Sequence, residues 1–291
     1  MHALIQLIEQ SPMALFALTF IVSLMVGSFL NVVIYRLPIM MERQWKRDYQ
    51  SYFNAEESTG VESKFNLIKP DSTCPKCQHK IRAWENIPVI SWLVLGGKCS
   101  QCKNPISIRY PLVELLTAVM STWAAIHFGF GGALIFAVIA TWLLVAMTFI
   151  DLDKMLLPDQ LTLMLLWLGL LISPWSVFVS PKDAIIGAAA GYLSLWSVYW
   201  AFKLLTGKEG MGYGDFKLLA ALGAWCGWQH LAIIVILSSF VGAIVGIVLM
   251  MKQNKGTNLA IPFGPYLAIA GWLTLLYGDK IAKSYWQMVM A

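Results

Sequence analysis

Residues 131–151 read GGALIFAVIATWLLVAMTFID, a run of 20 residues without a charge that ends on an aspartate. At 1.5 Å per residue such a run spans about 30 Å as a helix, the thickness of a bilayer's hydrocarbon core. It is too long for a strand and too apolar for a surface helix. Similar runs lie near 12–35, 111–129, 159–179, 183–204, 215–229, 231–251 and 262–278, and two of the eight segments are short for a crossing. Hydrophobic residues make up 58% of the 291 and charged ones only 13%, with 13 Trp and 14 Phe. That composition excludes a water-soluble domain and predicts an all-α polytopic membrane protein with about eight transmembrane helices.

Residues 2–10 carry no Lys or Arg, and Arg36 follows the first run as a stop-transfer residue does. The run is therefore expected to be a retained helix and not a signal peptide. Between Arg36 and Arg109 lies the one sizeable polar stretch, with 12 Lys/Arg against 7 Asp/Glu, a net +5 that equals the charge of the whole chain. If the segments alternate across the bilayer, this stretch shares a side with Lys154, Lys203, Lys208, Lys217, Lys252 and Lys255, and only Lys182, Lys280 and Lys283 face the other. The positive-inside rule makes the richer side cytoplasmic. Three parts are expected: a first transmembrane helix (1–35), a cytoplasmic insertion (36–110) and a membrane domain (111–291).

By the same parity Asp151 and Asp215 emerge together on the cytoplasmic side. Ionisable groups at membrane depth are costly, so such a pair marks a site. Asp215 closes a glycine ladder, Gly210, Gly212 and Gly214, and glycine at Gly212 and Gly214 lets another backbone come close. Irregular backbone there is tolerated only where protein or a water-filled cavity surrounds it. Two neighbouring carboxyls resist double ionisation, so one keeps its proton while the other can take one from water. Three readings fit: an aspartic hydrolase, a proton relay in a membrane transporter, or unrelated aspartates capping helices.

Within the insertion stand Cys74-Pro75-Lys76-Cys77 and Cys99-Ser100-Gln101-Cys102. Two CxxC pairs suit tetrahedral zinc with Cys74, Cys77, Cys99 and Cys102 as ligands. In a reducing cytoplasm disulfides are the poorer reading. Four protein ligands leave no position for water, so the metal's role is structural. His79 reads as a surface residue and Cys226 as a small buried hydrophobe. Residues 42–69, with Glu42-Arg43-Gln44-Trp45-Lys46-Arg47, fit a short amphipathic helix whose charge suits anionic lipid headgroups and not nucleic acid. Trp142, Trp167, Trp175, Trp200, Trp225, Trp228 and Trp272 read as interfacial anchors. No internal repeat stands out, and residues 36–110 hold no glycine-rich dinucleotide fingerprint.

Together these elements resemble the type IV prepilin peptidases, a GxGD class of intramembrane aspartic proteases. The resemblance is carried by Gly27-Ser28-Phe29-Leu30-Asn31-Val32-Val33-Ile34-Tyr35-Arg36-Leu37-Pro38, the two CxxC pairs, Ile150-Asp151, Leu156-Leu157-Pro158-Asp159, Gly210-Met211-Gly212-Tyr213-Gly214-Asp215 and Pro262-Phe263-Gly264-Pro265. Taken alone, Gly27, Ser28 and Arg36 also fit small-residue helix packing with a snorkelling arginine. The resemblance implies removal of a leader from type IV prepilins and pseudopilins, for a type IV pilus or type II secretion, at the inner membrane. It also implies N-methylation of the new terminus with S-adenosylmethionine. Asp151 and Asp215 take the family's catalytic positions, Asp153 ranks below Asp151, and Asp159 caps the next helix. Asp215 begins a helix and Asp151 ends one, so the dipoles predict Asp215 as the ionised base and Asp151 as the protonated acid. The alternative is a proton-coupled transporter with the aspartates as its relay.

Overall fold

The computed structural model describes residue 9 and residues 11–53, 65–253 and 261–290, which are almost wholly helical. The chain divides into two compact units, residues 1–130 and 131–291. All eight apolar segments are helices. Among the described residues five helices are long and apolar enough to cross a membrane: Pro12–Tyr52, Arg109–Phe128, Gly132–Lys154, Pro181–Thr206 and Trp228–Lys252.

In the first unit α1 (Pro12–Tyr52) starts at Ser11, whose hydroxyl accepts from the Ala14 N–H, and continues through Pro38 as one 41-residue helix. Glu42 to Arg47 therefore prolong the first helix and do not form a separate surface helix; residues 54–64 of that expected segment lie outside the described residues. A single-turn α2 (Ile90–Val94) and α3 (Arg109–Phe128) follow. Helices α1 and α3 touch at Gly27, where a Cβ would lie 2.8 Å from the Glu114 Cα, and Asn31 Nδ2 donates to the Tyr110 carbonyl at 3.1 Å. The small-residue reading of Gly27 thus holds, but Arg36 does not snorkel. It is buried and donates to the carbonyls of Asn66, Leu67 and Pro70, fastening the returning chain to the helix. The planar guanidinium fork allows three such bonds where an ammonium's compact charge would not hold the same geometry.

The second unit contains α4 (Gly132–Lys154), α5 (Asp159–Ile172), α6 (Pro181–Thr206), α7 (Tyr213–Cys226), α8 (Leu231–Gln253) and α9 (Gly264–Met290). The 14-residue α7 is its centre: from Asp215 to Cys226 only Lys217 is not buried. Glycines explain how three helices reach it. A Cβ on Gly223 would lie 2.1 Å from the Gly187 carbonyl oxygen, one on Gly191 2.6 Å from that of Leu219, and one on Gly271 2.3 Å from Leu222. Backbones therefore meet directly at Gly223 and Gly191, as small residues permit in membrane helices, and Gly271 makes room for the Leu222 side chain. Gly169 of α5 likewise admits the Trp225 indole, whose N–H donates to the Leu165 carbonyl. Trp225 and Trp272 are thus core residues and not interfacial anchors; the Trp272 N–H is satisfied by Thr141 Oγ1 at 2.9 Å. Trp167, Trp175 and Trp228 remain exposed.

Candidate aspartate pair and cysteine cluster

Asp151 lies in the last turn of α4, one turn before the helix closes on the left-handed Met155. Asp215 is the third residue of α7, which starts after Gly212. Sixty-four positions apart in sequence, the two carboxyls are both buried and lie within electrostatic reach of each other. The bundle brings them together because α4 runs towards the end from which α7 departs.

A third helix joins them. Gly264, the first residue of α9, donates its N–H to Asp151 Oδ2 at 3.0 Å. A Cβ there would lie 2.7 Å from that oxygen and 3.1 Å from both Leu157 methyls, so only glycine brings this amide to the carboxyl. Leu157 is the wedge between the strands of chain at this end, since a Cβ on Gly214 would lie 2.7 Å from the Leu157 Cβ. Gly212 borders the pair more loosely, its Cβ position being 3.9 Å from Asp215 Oδ2. Gly214 thus serves the Leu157 contact.

Helix-end electrostatics do not separate the two carboxyls as the sequence suggested. Asp215 does sit at a helix start, yet Asp151 receives the first amide of α9, so each carboxyl faces a positive helix end. The dipoles therefore do not by themselves choose which member carries a proton. Asp159 differs from expectation in detail. Pro158 holds the cap position, and Asp159 starts α5 with its carboxylate bonded twice to Lys217 Nζ, at 2.7 and 2.8 Å. Asp153 is exposed. Gly264, Leu157 and Lys217 are the contributors that sequence reading left unassigned; the Pro-Phe-Gly-Pro stretch was the available signal for the first.

In the first unit the two CxxC segments fold alike. Thr73 bridges Lys80, and Lys98 bridges Pro105, so each pair sits in a miniature hairpin. In each, the first cysteine's N–H bonds a carbonyl five residues on: Cys74 to His79 and Cys99 to Asn104. The fourth residue after each first cysteine, Gln78 or Lys103, is left-handed at φ 59° and 57°. This is a structural repeat that the sequence, sharing little but the cysteines, did not display.

The four sulfurs lie within 4.8 Å of one another, with Cys74 to Cys102 at 3.7 Å and Cys77 to Cys99 at 4.0 Å. Tetrahedral zinc with bonds near 2.3 Å places its sulfurs roughly 3.8 Å apart, so the donor set fits that ion. Backbone N–H groups of Cys77 and Lys76 lower the Cys74 thiol, whereas that of Cys77, despite the His79 N–H, is raised by burial and the neighbouring thiols, so the coupled thiols favour the thiolate at Cys74 first. His79 is not a fifth donor. Its Nε2 lies 3.1 Å from Glu85, whose carboxylate also accepts the Arg82 N–H and is held at about 2 by that bond foremost.

A helical membrane protein with paired buried aspartates and a four-thiol knuckle is the class these features define. Residues 21–128 match the model of the bacterial peptidase A24 N-terminal domain, and residues 137–247 that of the type IV leader peptidase family. The chain is 60% identical to a prepilin leader peptidase/N-methyltransferase of Aeromonas hydrophila, over 98% of both chains. It is 54% identical to one from Pseudomonas aeruginosa, again over 98% of each, and 47% identical to one from Legionella pneumophila over 96% and 97%. No solved structure matches it. The chain belongs to the type IV leader peptidase family, among the prepilin leader peptidase/N-methyltransferases.

Proposed function

We propose that this protein removes the leader peptide from type IV prepilins and related pseudopilins at the cytoplasmic face of the bacterial inner membrane, with Asp151 and Asp215 as the catalytic carboxyls. Membership of the family supports the activity, and the convergence of both aspartates at one end of the α4, α7 and α9 bundle carries the assignment. The ionised member of the pair takes a proton from water, and the water oxygen attacks the scissile carbonyl carbon. The protonated member donates to the carbonyl oxygen. As the carbon–nitrogen bond breaks, the member that took the water's proton gives it to the leaving nitrogen, and the other recovers a proton from a hydroxyl of the tetrahedral intermediate as the carboxyl product forms. Gly264 holds Asp151 during this cycle, and Gly212 borders the space where a substrate backbone would lie. The transporter alternative finds no support, since these relatives are all named as peptidase/methyltransferases.

The same family name implies N-methylation of the product's terminus with S-adenosylmethionine, which supplies a methyl group on a sulfonium. The described residues of the first unit include no glycine-rich strand-to-helix turn, so no residue is assigned to that group. The insertion, residues 36–110, would carry structural zinc on Cys74, Cys77, Cys99 and Cys102, and residues 111–291 the peptidase. We count α5, α7 and α9 as crossings beside the five longer helices; for α9 the support is that it reaches from Gly264, bonded to Asp151, to Asp279, whose carboxylate lies 3.3 Å from His230 in the turn that follows α7. Incubating Asp151→Asn and Asp215→Asn enzymes with a prepilin tests the assignment. Normal processing by either would refute it.

A further inference from the structure

The first unit presents an apolar surface that neither the aspartate pair nor the cysteine cluster uses. Helix α2 turns Trp92 inward: its indole N–H donates to the Ile106 carbonyl at 3.1 Å, and Gly97 lies so close that a Cβ would come 2.9 Å from the ring. With Trp92 held, the neighbouring side chains must face out. Ile90 is 58% exposed, Leu93 63%, Val94 74% and Ile108 66%. Burying so much aliphatic surface nowhere is unusual for a small polar module and marks an interaction site.

Its position identifies what covers it. Val89, immediately before α2, donates its N–H to Glu114 Oε2 at 2.8 Å. Glu114 lies in the second turn of α3 and is buried against α1, so this bond fixes the start of α2 beside the first turns of α3. Val89 itself sits at φ 60°, a conformation a β-branched residue otherwise avoids. On α3 the exposed residues Leu112, Leu115, Leu116 and Val119 recur at helical spacing along one face, and this helix is long and apolar enough to span. Lys98 and Arg109 close the apolar stretches on either side of the knuckle, with the charge anionic headgroups attract.

We infer that Ile87 to Leu95 dips into the headgroup and acyl boundary of the same bilayer that α3 crosses, so that the cysteine-bearing module is moored to the lipid by α2. The inference rests on reading α3 as a spanning helix. Phospholipid, and not a protein partner, is the occupant, because the Val89–Glu114 bond sets α2 at the depth of the second turn of a spanning helix, and Lys98 and Arg109 bring basic charge to that level.

The test uses the full chain in vesicles of phosphatidylethanolamine and phosphatidylglycerol, with p-benzoylphenylalanine replacing Leu93, Val94, Leu115 or Gln101 in turn. After irradiation, phospholipid adducts are read by mass spectrometry of the digested protein. Leu93 and Val94 should yield adducts within about twofold of Leu115, and roughly fivefold or more above Gln101 on the knuckle. Adducts at Leu115 but background levels at Leu93 and Val94 overturn the inference. So does crosslinking of these two positions to a protein in place of lipid. Background at Leu115 as well overturns the spanning reading of α3 and the inference with it.

Discussion

Replacing Gly264 by alanine probes the aspartate pair without removing a charge. The added Cβ would sit 2.7 Å from Asp151 Oδ2 and 3.1 Å from two Leu157 methyls, well inside van der Waals contact. Leu157 is buried and packed on Gly214, so the carboxyl has to move, and its hydrogen bond from the Gly264 amide is lost or bent. A hydrogen bond to a charged group contributes about 1.5–3 kcal/mol. If the bond serves the reacting arrangement, that converts to a fall in kcat/KM of roughly 10- to 150-fold. The loss should appear mainly in kcat, because the glycine orients a carboxyl and does not grip the leader. The assay is cleavage of purified prepilin in lipid, followed by gel shift or mass, with the melting temperature measured alongside. Gly132→Ala is the control, since nothing lies within 4 Å of its Cβ position. A Gly264→Ala enzyme that melts normally and cleaves within about threefold of the parent would refute the reasoning, as such a shift is worth well under 1 kcal/mol.

Asp151→Asn and Asp215→Asn should each lower cleavage by about 10³-fold or more, while methylation of an already cleaved pilin, read by the product's mass, stays near normal. Gly223→Ala should cost about 3 kcal/mol or more and lower the melting temperature in detergent, because its Cβ meets the Gly187 carbonyl with only backbone to give way. Metal analysis of reduced protein should find about one zinc per chain, and replacing all four cysteines by serine should abolish it and open residues 72–105 to proteolysis. Lys217→Ala removes a partly exposed ion pair, so stability should change by about 1 kcal/mol or less; the Asp159→Lys/Lys217→Asp double variant should regain the lost part in a thermal melt.

The sequence displayed the helices of the membrane part, because apolar runs are legible from residue type alone, and among the described residues five of those helices are long and apolar enough to cross a bilayer. It displayed the thiol donors for an equally local reason: CxxC spacing is a property of neighbours. Asp151 and Asp215 stood out through the rarity of charge at the ends of apolar runs. What local pattern could not show is where a short segment such as Tyr213–Cys226 packs. Its even apolarity marks a helix but does not tell that glycines on three other helices make it the buried axis of its unit. Trp225 and Trp272 were misread on the same ground, since an indole near a segment end looks interfacial until Leu165 or Thr141 is found accepting its N–H. Arg36 looked like a snorkelling cation because its three carbonyl partners lie 30 to 34 residues away.

Composition and spacing alone thus determined that this is a helical membrane protein carrying two notable carboxyls and a four-thiol cluster, since those traits depend on residue type and near neighbours. Only the tertiary structure decided that Gly264 of a third helix supplies an amide to Asp151, that Leu157 needs two glycines beside it, and that Val89 is tied to Glu114. Each of those contacts joins residues 25 to 113 positions apart, or turns on an atom a glycine lacks, and chain folding in space is what creates them.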